Sequence, residues 1–182
     1  TIEYATEVAI HALTDDDRGF ATGLLGEAYR NKGEYDKAIG YSEKSLAIKL
    51  KALGPEHPDV GVSYNNIGQA YNNKGEYDKA LDYYEKSLAI YLKALGEEHP
   101  EVGTSYNNIG EAYYHKGEYD KAIGYFEKAL GISIKVLGAA HPLVGASYNN
   151  IGGAYNAKGE YDKAIGYYEK ALAISLKALG VE

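Results

Sequence analysis

The heptapeptide KGEYDKA occurs four times, beginning at Lys32, Lys74, Lys116 and Lys158, so each copy starts 42 residues after the one before. Other landmarks keep the same step. SYNNIG begins at Ser63, Ser105 and Ser147, and His-Pro falls at positions 57, 99 and 141. Repetition at a period between about 20 and 50 residues is the mark of an array, in which one small supersecondary unit is stacked upon its copies. A single unit of that size cannot bury enough apolar surface alone, so stability has to come from the stacking.

The bulk properties agree with a folded array and remove several classes of function. The hydrophobic content is 45%, enough for a core. A net charge of -7 argues against general attraction to nucleic acid or to anionic lipid. No run of about 18 apolar residues is available to span a membrane, and no charged-then-apolar leader opens the chain. The absence of cysteine excludes disulfides and thiolate metal sites. A cytoplasmic setting is expected. The chain contains no methionine and opens on Thr1, which suggests an excised or engineered segment.

The unit reads as two antiparallel helices. In the copy from Asp59 to Pro100, Tyr64, Ile67, Gly68 and Tyr71 fall on one stripe of a first helix, with Ser63 and Ala70 on its flank. Asn65, Gln69 and Asn72 face the other flank, and Asn66 and Asn73 point away from the stripe. Gly75 suits a left-handed helix end, Lys74 meets the negative end of the first helix, and Glu76 and Asp78 meet the positive start of the second. Tyr77, Ala80, Leu81, Tyr84, Ser87, Leu88, Tyr91, Leu92 and Leu95 then continue an i, i+3, i+4, i+7 series for about five turns. Gly96 ends it. In the next unit Pro100 suits a first helical position, with His99 as N-cap.

Tyr64, Ile67-Gly68, Tyr71, Tyr77, Ala80, Tyr84 and Ser87 together resemble the pattern of large, small and aromatic positions of the tetratricopeptide repeat. The 42-residue period, the Asn-Asn pair and the LG-x-x-HP link are similar to its longer-helix subclass, typified by kinesin light chains. The resemblance covers about Asp17 to Gly180 and implies an all-α superhelix, a tetratricopeptide solenoid of helix pairs. The expected division is 1–16 as a half-repeat and link, then repeats at 17–58, 59–100, 101–142 and 143–182, forming one solenoid domain. In the half-repeat, Val8, Ile10 and Leu13 match a second helix. The final helix pair is expected to fray or to pack on another copy of the chain.

Reactive chemistry finds little support. A phosphate loop needs GxxxxGK[ST] after a strand, and neither is visible. The paired acids recur identically in a first helical turn, which fits helix-end electrostatics better than acid–base catalysis. His57, His99 and His141 form a ladder on helices about 8–10 Å apart, too far for one zinc ion whose ligands lie about 2 Å away. No catalytic residue, metal or cofactor is expected. Most of the 20 tyrosines read as core, Tyr64, Tyr71, Tyr77 and Tyr84 above all. Tyr91 and Tyr114 break the repeat and read as surface contacts.

The asparagines are the informative polar feature. Asn65 and Asn66 recur as Asn107 and Asn108 and as Asn149 and Asn150, although asparagine is an indifferent helix former. Either one of each pair bonds to a neighbouring helix and fixes the stacking, or the ladder lines a groove and offers amides to an extended peptide. One of each pair is expected to serve each purpose. The family resemblance implies that first helices line a concave groove, here Arg30 with Glu27, then Asn65, Asn66, Gln69, Asn72, Asn107, Asn108, Glu111, Tyr114, Asn149 and Asn150. With only Arg30 and His115 as candidate cations there, a neutral or basic peptide is favoured over an acidic one. Gly23 and Leu24 replace the pair in the first repeat, where a hydrophobic anchor is expected. Two functions remain open: capture of an extended or helical peptide, or end-to-end self-assembly without one.

Overall fold

In the computed structural model, residues 14–178 are described. The half-repeat at 1–13 and the last residues of the final repeat lie outside them. Eight helices occupy this span: α1 Asp15–Asn31, α2 Tyr35–Leu53, α3 Pro58–Asn73, α4 Tyr77–Leu95, α5 Pro100–His115, α6 Tyr119–Leu137, α7 Pro142–Lys158 and α8 Tyr161–Ala178. No strand occurs among the described residues. The chain forms two compact units joined at Ala94–Leu95, the first holding α1 to α4 and the second α5 to α8.

Every turn within a helix pair uses its glycine as the sequence requires. Gly33, Gly75, Gly117 and Gly159 take φ between 79° and 85°. At the second turn, Gly75 N–H donates to the Asn72 carbonyl (3.0 Å) and Glu76 N–H to the Tyr71 carbonyl (2.9 Å). These two bonds close the helix as a Schellman motif. Between pairs, the imidazole Nδ1 of His57, His99 and His141 accepts from the backbone N–H two residues on, each at 3.2 Å, with proline at the first helical position. The histidine series is a set of N-caps.

Glycine also sets how closely the two helices of a pair approach. A Cβ on Gly68 would lie 2.7 Å from the Tyr84 ring, on Gly110 2.7 Å from the Phe126 ring, and on Gly152 2.8 Å from the Tyr168 ring. Beside these contacts Ile67, Ile109 and Ile151 are fully buried. Burying each isoleucine contributes about 1.5–3 kcal/mol. In the second unit Ala122, Ile123 and Phe126 of α6 pack with Ile151 and Ala154 of α7, joining successive pairs. In the first unit Ala38 and Ile39 of α2 meet Ala70 of α3 in the same way.

The tyrosines divide between core and flank. Tyr84 is core, but Tyr64 and Tyr71 are half-buried. They gather around Tyr83, which stacks on Tyr71 at 5.6 Å and tilts toward Tyr64 at 6.1 Å. Tyr106, Tyr113 and Tyr125 repeat the arrangement, as do Tyr148, Tyr155 and Tyr167. Lysines cover the rings: Lys86 lies 4.9 Å from the Tyr83 centroid and Lys128 5.0 Å from that of Tyr125. Tyr91 corrects the surface reading. It is 2% exposed, because Gly61 has no Cβ and leaves room for its ring. The Tyr77 equivalent in the last pair, Tyr161, is exposed.

The heptapeptide joins neighbouring repeats as well as turning the chain. Lys74 bridges Glu76 of its own copy (2.9 Å) and Asp36 of the preceding one (2.7 Å). Lys158 bridges Glu160 and Asp120, both at 2.6 Å. Between pairs, Lys93 reaches Glu56, and Lys135 reaches Glu98 at 2.8 Å. Bonds from Lys79 and Lys74 hold the Glu76 carboxyl below the usual glutamate range, and Glu118 and Glu160 are lowered by their own lysines. The carboxylates of Asp36 and Glu76 raise the Lys74 ammonium above its ordinary value.

Two predictions follow from these contacts. Gly110→Ala gains helix propensity but drives a methyl into a ring 4% exposed, and overpacking outweighs the gain. A net loss of about 1–3 kcal/mol is expected in urea unfolding, and a stabilised variant would contradict the ring-on-glycine contact. The lowered glutamates bind protons more weakly when folded than when unfolded. Their contribution is therefore complete above the ordinary glutamate value of 4.5 and is lost as pH falls through the lower folded values. The thermal midpoint should fall on acidification through that window, with a shallower slope in 1 M salt; a midpoint independent of pH there would contradict the staples.

Candidate functional site: the amide-bearing faces of the first helices

In the second unit α5 and α7 are successive first helices, with α6 packed between them in sequence. Two clefts open there. The one toward the helix starts, about 340 Å³, is lined by Gly103, Thr104 and Asn107 of α5, Ile132 and Ser133 of α6, and Ala146 and Asn150 of α7, among others. The one toward the helix ends, about 370 Å³, is lined by Glu111, Tyr114, His115, Phe126, Asn149, Asn150 and Gly153. Asn150 borders both.

The two clefts differ in chemistry. The first has Val136, Leu137 and Leu143 along its apolar wall, all substantially exposed. The second holds the exposed Glu111 carboxylate, 3.6 Å from His115 Nε2, beside the half-buried Tyr114 ring. Tyr114 and His115 meet edge to face at 5.6 Å between centroids. Tyr114 thus stands at a surface, as its break from the repeat indicates.

The asparagines take several positions. Asn150 Nδ2 donates to Asn107 Oδ1 at 2.9 Å, so the second amide of one pair bonds to the first amide of the preceding pair. Asn107 is half-buried, and Asn149 and Asn150 are exposed. Asn108 is 9% exposed and belongs to the interior side of α5. In the first unit Asn65, Asn66 and Gln69 of α3 are half-buried, whereas Asn72 is 8% exposed and its Oδ1 is buried without a partner. Groove-lining positions for Asn72 and Asn108 are therefore corrected to buried ones. A helical wheel gives a side chain's direction but not the depth to which packing covers it. On α1, half-buried Arg30 lies 3.9 Å from Glu27.

Two features escaped the sequence reading. The lysine staples between copies could have been found, since Lys74 with Asp36 and Lys158 with Asp120 share one spacing of 38 residues. Ser45 and Ser87 also carry signal: each donates to a first-helix glycine carbonyl, Gly19 at 2.6 Å and Gly61 at 2.8 Å, where later copies have Ala129 and Ala171.

A helix-pair array with polar amides and clefts on its first helices is an interaction scaffold by class. The tetratricopeptide repeat pattern matches residues 18–93, 60–133 and 101–177, and the chain belongs to the tetratricopeptide repeat family. Repeats of this family are generally non-catalytic and mediate contacts between proteins. Among solved structures, the chain is similar to BtubC (BKLC) from P. vanneervenii, with 26% identity, a TM-score of 0.87, and coverage of 99% of this chain and 74% of that one. It is also similar to a kinesin-light-chain-class protein of Podosopora anserina built of nearly identical TPR-like repeats, with 29% identity, a TM-score of 0.79, and coverage of 97% and 84%. A Rap protein complexed with Competence and Sporulation Factor shares the fold at 20% identity and a TM-score of 0.79, over 95% of this chain and 46% of that one. No curated protein sequence matches the chain. No described helix is long and apolar enough to cross a membrane.

Truncating either partner tests the amide rung. Asn107→Ala should lower stability by about 0.5–1.5 kcal/mol, and Asn150→Ala should add little in the double variant. Additive losses in urea unfolding would show that the two amides act independently.

Proposed function

We propose that this chain is a non-catalytic protein-interaction scaffold that holds an extended or helical peptide segment against its first helices. The observation that carries the reading is the amide rung from Asn150 to Asn107, bordered by a cleft on either side. With one amide atom of each residue used in the rung, Asn107 Nδ2 remains as a donor and Asn150 Oδ1 as an acceptor. That pair matches the alternating groups of a peptide backbone. Glu111 beside Tyr114 suits a lysine or arginine side chain, through charge and through the ring face. With a net charge of -7, this favours a neutral or basic segment.

A displayed library of random peptides, selected on the immobilised chain, tests the reading. Selected peptides should lose tenfold or more in affinity to Asn107→Ala/Asn150→Ala, which remains folded by circular dichroism. Basic peptides should weaken further with Glu111→Gln. Failure to select any peptide, or affinities unmoved by these changes, would reject it.

One observation favours self-association as a second reading. Tyr161, Ile165, Tyr168, Leu172 and Leu176 are exposed on α8, although Ile123 and Phe126 at equivalent places on α6 are buried beneath α7. A first helix from a second copy would fit there. Light scattering should then show a mass that rises with concentration and returns to monomer with Leu172→Glu; a constant monomer mass would reject it.

A further inference from the structure

One position on the second helix of each pair varies while its surroundings repeat. It is Lys49, Tyr91, Ser133 and Ser175 in the four copies, each facing a glycine at Gly19, Gly61, Gly103 or Gly145 on the first helix. In the first copy the Lys49 stem covers the glycine, with its Cγ 3.3 Å from where a Cβ would stand. In the second, the Tyr91 ring covers it at 2.8 Å and is 2% exposed. In the third, Ser133 is too short, and only Ile132 approaches Gly103 at 3.3 Å. The cleft of about 340 Å³ lies there, lined by both Gly103 and Ser133.

We infer that this cleft is a binding site for an aromatic side chain, tyrosine or phenylalanine, supplied by a bound peptide. The inference deepens the peptide-holding reading and rests on it. The chain itself shows which shape fits over this glycine, because the second copy fills the equivalent place with its own phenol. A volume of about 340 Å³ falls at the small end of the roughly 300–1,000 Å³ typical of ligand sites. That suits a single side chain. Ala129, Ile132, Val136 and Leu143 give the ring apolar walls, and the hydroxyls of Thr104 and Ser133 at the lining offer partners to a phenol O–H. Asn107 and Asn150 border the same cleft, so the backbone carrying the ring would lie beside the amide rung. The site is specific to the third copy, since its chemistry depends on Ser133 and not on the repeated residues.

The test uses the full chain and 4-methylphenol, the tyrosine side-chain analogue. In a titration followed by amide NMR, saturable shifts are expected at Gly103, Thr104, Ser133 and Ala146. The amide of Gly61, whose place is already filled, should stay still. Ser133→Tyr should close the cleft from within, weaken 4-methylphenol at least tenfold and raise the thermal midpoint. Ser133→Leu serves as a second blocking variant should the first misfold. Peptides selected on the native chain should carry an aromatic residue at one fixed position, and Ser133→Tyr should lose that preference. Absent shifts at the cleft, or shifts that survive both variants, would overturn the inference. Selected peptides that bind through the amides without an aromatic residue would overturn the anchor and leave the peptide reading intact. Saturable phenol binding with no peptide selected would instead reject the peptide reading and keep the ring site.

Discussion

Within each of the last three helix pairs, a glycine on the first helix lies directly under an aromatic ring of the second. No Cβ could stand between Gly68 and Tyr84, Gly110 and Phe126, or Gly152 and Tyr168 without a separation below 3 Å. That contact sets the spacing of the two helices, and the spacing brings Ile67, Ile109 and Ile151 into full burial. It also lets the serine at the next level reach a backbone carbonyl, as Ser87 does at Gly61. The first pair substitutes Ser42 for the ring, and its hydroxyl fills the place over Gly26.

A tight pair presents a fixed outer surface, and this permits stacking. The apolar face of α6 meets Ile151 and Ala154 of α7 because both helices hold their register. The charged staples then have a constant distance to span. Lys74 to Asp36 and Lys158 to Asp120 are the same bond made twice, in separate units. Individually such exposed pairs are weak, and their repetition at one geometry is what makes them specify register. The amide rung uses the same fixed step, from Asn107 to Asn150.

Variation on this constant frame is where binding chemistry can differ from copy to copy. Glu111, Tyr114 and His115 occur together only in the third repeat, where the others have Glu27, Arg30 and Asn31, or Gln69, Asn72 and Asn73, or Gly153, Asn156 and Ala157. Ser133 for Tyr91 opens space over a glycine that is otherwise covered. The repeated residues build the frame, and the departures from the repeat shape its surface.

Much of this was legible from the residues alone. The period, the glycine turns, the His-Pro caps and the helix limits all follow from local rules, because turn and cap chemistry acts within a few residues. The sequence also marked the asparagines as costly in a helix and so in need of a partner, and it singled out Tyr91 and Tyr114 as departures. Tertiary structure alone decided what became of them. Tyr91 went inside because a glycine thirty residues earlier makes room for it, while Tyr114 stayed at a cleft. Asn72 and Asn108 were buried, and Asn150 found Asn107 across a stacked repeat. Local sequence sets which way a side chain points; only the packing of distant segments sets what it meets there and whether water still reaches it.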